Sequence, residues 1–188
     1  RHHGRVGLES VAEVKRVALI VLLGMLAPMI QGVAGTFIPS RFCPDLSMLW
    51  VVGLGLYWRS TGGGAVISTG LGFFVDLLSG SLFGQHALLR LLEFVVARVC
   101  NRQLNLRGTL PLMMFVLVLS VANAIGSSLL TVFFASGHGV DVTILMHLIP
   151  HAIVNAVVAV PVIRLVGGIT SWLDASARQL LILEPRNR

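Results

Sequence analysis

Apolar residues along the chain gather into six runs separated by short polar or glycine-containing breaks. The first, Val17 to Ile38, contains no charged residue. As a helix rising about 1.5 Å per residue it is long enough for roughly 30 Å of hydrocarbon. The second, Leu46 to Trp58, is short and takes Pro44 and Asp45 as its first turn, with Tyr57 and Trp58 at an interface. A third runs from Ala65 to Leu82. The fourth, Ala87 to Cys100, is the least hydrophobic and carries Arg90, Glu93 and Arg98. Thr109 to Ala135 and Val142 to Ile163 complete the set. The pattern predicts an all-α, polytopic membrane protein with six transmembrane helices.

Past Gly167-Gly168 the period changes. Ile169, Trp172, Leu173, Ala177 and Leu180 share one helical face, while Asp174, Arg178 and Gln179 lie elsewhere. That spacing predicts a C-terminal amphipathic helix on the inner membrane surface, on a partner, or folded back on the protein's own base. The expected organisation is therefore a six-span transmembrane domain over 1–168, followed by a cytoplasmic amphipathic helix and tail over 169–188.

Composition agrees with the pattern. Hydrophobic residues make up 55% of the chain and charged residues 12%, which excludes an ordinary soluble domain. The formal charge of +6 forms no basic patch among aromatics, so no nucleic-acid partner is expected. The cations lie between the apolar runs instead. With the N-terminus inside, Arg1, Arg5, Lys15, Arg16, Arg59, Arg98, Arg102, Arg107, Arg164, Arg178, Arg186 and Arg188 fall on the cytoplasmic side. Arg41 lies in an outer loop and Arg90 within the membrane. This asymmetry predicts that both termini are cytoplasmic. The first run is too long to read as a cleavable signal peptide and lacks a convincing small-residue cleavage site. Cys43 then falls in the first outer loop and Cys100 at the inner end of the fourth span, too far apart for a disulfide.

The chemistry that stands out is Asp76, a carboxylate inside the third apolar run. Near a bilayer centre it costs about 2.5–3.5 kcal/mol on insertion scales. Asp76 and Arg90 each lie seven residues from Phe83, which would bring them to similar depth in an antiparallel hairpin. Glu93, one turn beyond Arg90, would complete an intramembrane polar cluster of Asp76, Arg90 and Glu93. Such a cluster either fixes helix register or lines a cavity or partner groove. Gly70, Gly72, Gly80 and Gly84 suit close helix approach. Gln31, Asn123, His147, His151 and Asn155 are expected to make interhelical polar contacts.

Enzymatic and metal readings are weak. Ser68, Ser79 and Ser81 lie on the third run or its turn, while the histidines His147 and His151 lie on the sixth. No glycine-serine context supports a nucleophile. The two histidines share a helix face at i, i+4, but no H-E-x-x-H glutamate accompanies them and Pro150 interrupts the turn. A non-catalytic protein without metal or cofactor is expected.

Pro44-Asp45, Tyr57-Trp58 and the block from Gly72-Phe73 through Asp76-Leu77-Leu78-Ser79-Gly80-Ser81 to Gly84 resemble the bacterial rod-shape-determining MreD family. Asn155 with Pro161 is similar to that family's closing pattern. The resemblance covers about a quarter of the chain, and Gln85-His86 departs from it. It implies a scaffold of the cell-wall elongation (rod) complex in the bacterial inner membrane, surrounded by membrane lipids. The implied partner is a single-span protein of the MreC type, with the MreB filament, RodA and its transpeptidase engaged indirectly. By the same resemblance Asp45, Gly72, Phe73, Asp76, Ser79, Gly80, Ser81 and Gly84 become candidates for partner binding. The family's fold is similar to the substrate-binding subunits of energy-coupling-factor transporters. A vitamin-type binding subunit of a membrane transporter is therefore the alternative reading.

Overall fold

In a computed structural model the described residues are 2–80, 82–104, 106, 108–134 and 142–182, with side chains described over 13–175 of these except 142–147. The described chain is helical throughout: α1 (His2–Ala34), a 3-10 turn (Ser40–Phe42), α2 (Leu46–Tyr57), α3 (Thr61–Ser79), α4 (Gln85–Gln103), α5 (Thr109–Phe134) and α6 (Val142–Ile182). Within these, Glu13–Ala34, Thr61–Ser79, Thr109–Phe134 and Leu148–Ala175 are long and apolar enough to cross a membrane. Their outward faces carry large exposed apolar side chains such as Leu22, Leu77, Val118 and Ile153, as a lipid-facing surface requires.

Of the two helices outside that set, α2 forms the interior and α4 packs beside it with one face outward. α2 has twelve residues, about 18 Å of rise and short of the hydrocarbon thickness. Every residue from Ser47 to Leu56 is buried, so an all-round apolar sequence is what this position demands. It packs against α1, α3, α4 and α6. One side meets Phe94, Ile67, Leu71 and Val166, and the other meets Val116, Leu119, Ala159 and Ile163. α4 turns Arg90, Glu93, Phe94 and Ala97 inward while leaving Leu88, Leu92 and Val96 exposed. Its charged residues therefore face protein and its apolar stripe faces outward.

Local chemistry sets the breaks. Asp45 caps α2 by accepting from Met48 N at 3.0 Å, and Ser60 caps α3 by accepting from Gly63 N at 3.1 Å. α3 stops at Gly80, where φ is +62°, and α4 begins after Gly84, where φ is +90°, a region that L side chains rarely adopt. The close approach expected of the motif glycines is confined to Gly72: a Cβ there would lie 2.5 Å from His86 O. Gly80 and Gly84 serve the turn instead, and Gly70 faces open space.

Several boundaries differ from the sequence reading, α3 by three or four residues at each end and α1 and α6 by more. The first helix ends at Ala34 rather than Ile38, with Gly35 and Thr36 in a turn. At the other end, the division after residue 168 falls inside one uninterrupted helix. Gly167 lies flush with the Tyr57 ring, and Ile169 and Leu173 pack on the cluster around α2. Tertiary packing thus carries the helix across the Gly-Gly pair despite their poor helix propensity. Trp172, placed with Ile169 and Leu173 on one face by the periodicity, is 63% exposed. Asp174 bonds Arg16 Nη1 at 2.7 Å, and the Arg16 guanidinium stacks 4.3 Å from the Trp58 ring centroid.

Candidate functional site: a polar junction at one end of the bundle

The start of α2 is a hub. Asp45 Oδ1 accepts from Met48 N and from Ser47 Oγ, and Oδ2 accepts from Arg90 Nη2 at 2.6 Å. Arg90 Nη1 donates to both carboxylate oxygens of Glu93, at 2.9 and 2.7 Å. The Asp45 backbone N–H donates to Asn155 Oδ1 on α6 at 2.8 Å, and Asn155 Nδ2 reaches Ser120 Oγ on α5 at 3.2 Å. Leu46 N donates to Gln31 Oε1 on α1 at 3.0 Å. One aspartate and its neighbours thereby tie α2 to α1, α4, α5 and α6. Asp45 is 9% exposed, while Arg90, Glu93 and Asn155 are exposed by 3% or less. The charges are therefore removed from solvent, with one guanidinium bonded by two carboxylates, and hydrogen bonds within the protein replace those to water.

The Arg90–Glu93 pair follows the i, i+3 expectation, but Asp76 is not the third member. It sits three residues before the end of α3, beside the free N–H groups of α4's first turn. Gly84 N at 3.0 Å and Ala87 N at 3.2 Å donate to Oδ2. His86 N donates to Oδ1 at 2.9 Å, with His86 Nδ1 also 2.9 Å from that oxygen. A carboxylate opposite a helix N-terminus satisfies orphan donors and the helix dipole together. Counting residues from Phe83 placed Asp76 and Arg90 at equal depth but ignored the five-residue turn. That turn leaves Arg90 more than one helical turn into α4, on the side of α2.

The remaining candidates separate by environment. Gln31 and Asn155 do bridge helices. Asn123 Oδ1 is buried without a hydrogen-bond partner among the described residues, so the interhelical contact expected of it is not made by that oxygen. His151 is half-buried and lines a cavity described below. The side chain of His147 and all of Ser81 lie outside the described residues. Among the partner-binding candidates, Asp45, Gly72 and Asp76 are buried in the protein's own packing, whereas Phe73, Ser79 and Gly80 are exposed. Ser68 Oγ is buried with no hydrogen-bond partner among the described residues. Both cysteines are free thiols, Cys43 buried and Cys100 half-buried.

Several contributors escaped the sequence reading. Ser47 and Ser120 are unremarkable residues in apolar runs, and only their partners reveal them. α4 also closes the other end of α2: Arg98 donates to the carbonyls of Trp58 and Arg59, and Asn101 Nδ2 to Leu56 O at 3.0 Å. Cations near the last carbonyls of a helix are a readable signal, but they lie on a different helix from the one they cap.

No family model matches the chain, and no curated protein or solved structure matches it.

Proposed function

We propose that this chain is a non-catalytic scaffold of the bacterial cell-wall elongation complex, of the MreD type, spanning the inner membrane six times with both termini in the cytoplasm. The observation that carries the reading is the joint use of the two motif aspartates. Asp45 nucleates α2 and neutralises Arg90, and Asp76 nucleates α4. The motif residues thus organise one end of the bundle rather than a reaction centre. The six-span reading counts α2 as an interior span enclosed by its neighbours, and α4 as a span that turns Arg90 and Glu93 inward and its apolar stripe to lipid. Arg16, Arg98 and Arg164 meet partners at the end opposite Arg41, in keeping with a cytoplasmic placement of that end.

A single-span MreC-type partner would meet exposed residues of the α3–α4 hairpin. Phe73 and Phe83 stand with ring centroids 6.5 Å apart, both exposed, and Leu88 lies near them. Affinity capture of the full chain from a rod-shaped bacterium tests this. The expected co-purifying protein has one span and a periplasmic domain, and capture falls on Phe73→Ala with Phe83→Ala.

The alternative, a vitamin-type binding subunit of a transporter, draws on a cavity of about 380 Å³ at the Asp45 end. Capture of an ATPase module together with a bound vitamin would favour it.

A further inference from the structure

The end of the bundle opposite Asp45 carries an exposed surface of predominantly one charge sign. Lys15, Arg16, Arg59, Arg98, Arg102 and Arg164 lie there, and the carboxylates of that end among the described residues are Glu13 and Asp174. Asp174 is taken by Arg16 at 2.7 Å. No ion pair among the described residues holds Lys15, Arg59, Arg98, Arg102 or Arg164. All of these except Arg98 are exposed.

Packing gathers part of this charge. Arg98 Nη2 donates to Arg59 O at 2.7 Å, which holds the corner between α2 and α3 against the last turns of α4. Arg102 follows Arg98 by about one helical turn, so Arg59, Arg98 and Arg102 stand around one corner. Exposed apolar surface begins immediately inward of it. Val99 shares a face of α4 with Arg102, and both Val99 and Val66 of α3 are exposed. Tyr57 and Trp172 are exposed at the same end, and amphipathic aromatics collect at the headgroup level of a bilayer. The unmatched cations therefore sit where lipid phosphates lie, over surface that suits acyl chains.

We propose that this corner binds an acidic phospholipid, its phosphate accepting from the Arg59 and Arg102 guanidiniums and its acyl chains lying along Val99 and Val66. Guanidinium forks match phosphate oxygens in pairs. A zwitterionic lipid brings an ammonium group that the same cations repel, so net charge decides retention. A soluble acidic protein would use the charge but leave the adjoining apolar surface uncovered. The site requires only that the chain crosses a membrane, and it is independent of the scaffold reading.

The test uses the full chain purified in detergent and offered equal amounts of dioleoyl phosphatidylglycerol and dioleoyl phosphatidylethanolamine, with the lipid that co-elutes on size exclusion quantified by mass spectrometry. Phosphatidylglycerol is retained at least about fivefold over phosphatidylethanolamine, the ratio that one interfacial cation supplies. Raising NaCl from about 0.1 M to about 0.5 M screens exposed charge and lowers that ratio to less than about twofold. Arg59→Gln combined with Arg102→Gln does the same at low salt. Circular dichroism and elution volume stay as in the wild type, because both side chains are exposed. Arg41→Gln, at the opposite end, keeps the preference. Equal retention of the two lipids by the wild type overturns the proposal, as does a preference indifferent to salt. Undiminished preference in the folded Gln pair, or its loss in Arg41→Gln, overturns it as well. So does displacement of phosphatidylglycerol by an equal concentration of water-soluble glycerophosphoglycerol, by showing that the chains contribute nothing.

Discussion

Arg90 Nη2 lies 2.6 Å from Asp45 Oδ2, across forty-five residues of chain. The same carboxylate begins α2 through its other oxygen. A helix cap and a buried ion pair are therefore one group, and loss of that group acts on both. Folding of α2 and docking of α4 are coupled through it.

Asp45→Ala removes a cap worth about 1 kcal/mol and leaves Arg90 with one carboxylate instead of two. The total loss should approach the roughly 3–5 kcal/mol seen when one partner of a buried pair is deleted. Arg90→Met, which leaves two buried carboxylates without their cation, should cost at least as much. Asp45→Asn combined with Arg90→Met should recover part of the loss. Thermal unfolding in detergent measures all three, and strict additivity would show that the pair is not coupled.

Asp76 acts separately. Asp76→Ala should destabilise by about 1–2 kcal/mol through the uncapped first turn of α4, and Asp76→Asn by less, since an amide oxygen still accepts. Combined with Arg90→Met, the Asp76→Ala loss should add within about 0.5 kcal/mol. A larger interaction energy would mean that the two residues share a network after all.

Two glycines two residues apart on α3 should respond in opposite directions. At Gly72 an added methyl meets the α4 backbone, 2.6 Å from Ala87 Cα, so Gly72→Ala should destabilise by about 1–3 kcal/mol through overpacking. Gly70 faces open space within α3. Gly70→Ala should stabilise by up to about 1 kcal/mol, through helix propensity and a less flexible unfolded chain. Paired melting curves decide it.

Cysteine labelling tests both topology and burial. Arg41→Cys, in the exposed turn before α2, should react with an impermeant maleimide from outside intact cells, and Gly62→Cys at the other end should not. Native Cys43 should react much more slowly than Arg41→Cys. Burial, with Asp45 nearby, pushes its thiol pKa up, which lowers the thiolate fraction at neutral pH. Its labelling should therefore accelerate as pH rises. Equal rates for the two cysteines at neutral pH would contradict the burial.

The sequence by itself determined where the six helices of the described chain lie, with most of their ends within four residues, because apolar runs, caps and glycine turns act locally. Asp45 and Ser60 begin helices through neighbours two or three residues away, and Gly80 and Gly84 end or precede them through their own backbone angles. The i, i+3 contact of Arg90 with Glu93 was legible for the same reason. What only the tertiary structure decided was the choice among partners at a distance. The hairpin count offered Asp76 to the Arg90 guanidinium and left Asp45, forty-five residues away, out of account. Packing of α4 against α2 gave Arg90 to Asp45, while the free N–H groups of α4's first turn took Asp76. Periodicity likewise marked a change after Gly168, but the Tyr57 ring and the Arg16–Asp174 pair made 169–175 part of the bundle. Local rules act within a helical turn, whereas buried charges settle where desolvation is best repaid, and that depends on every helix at once.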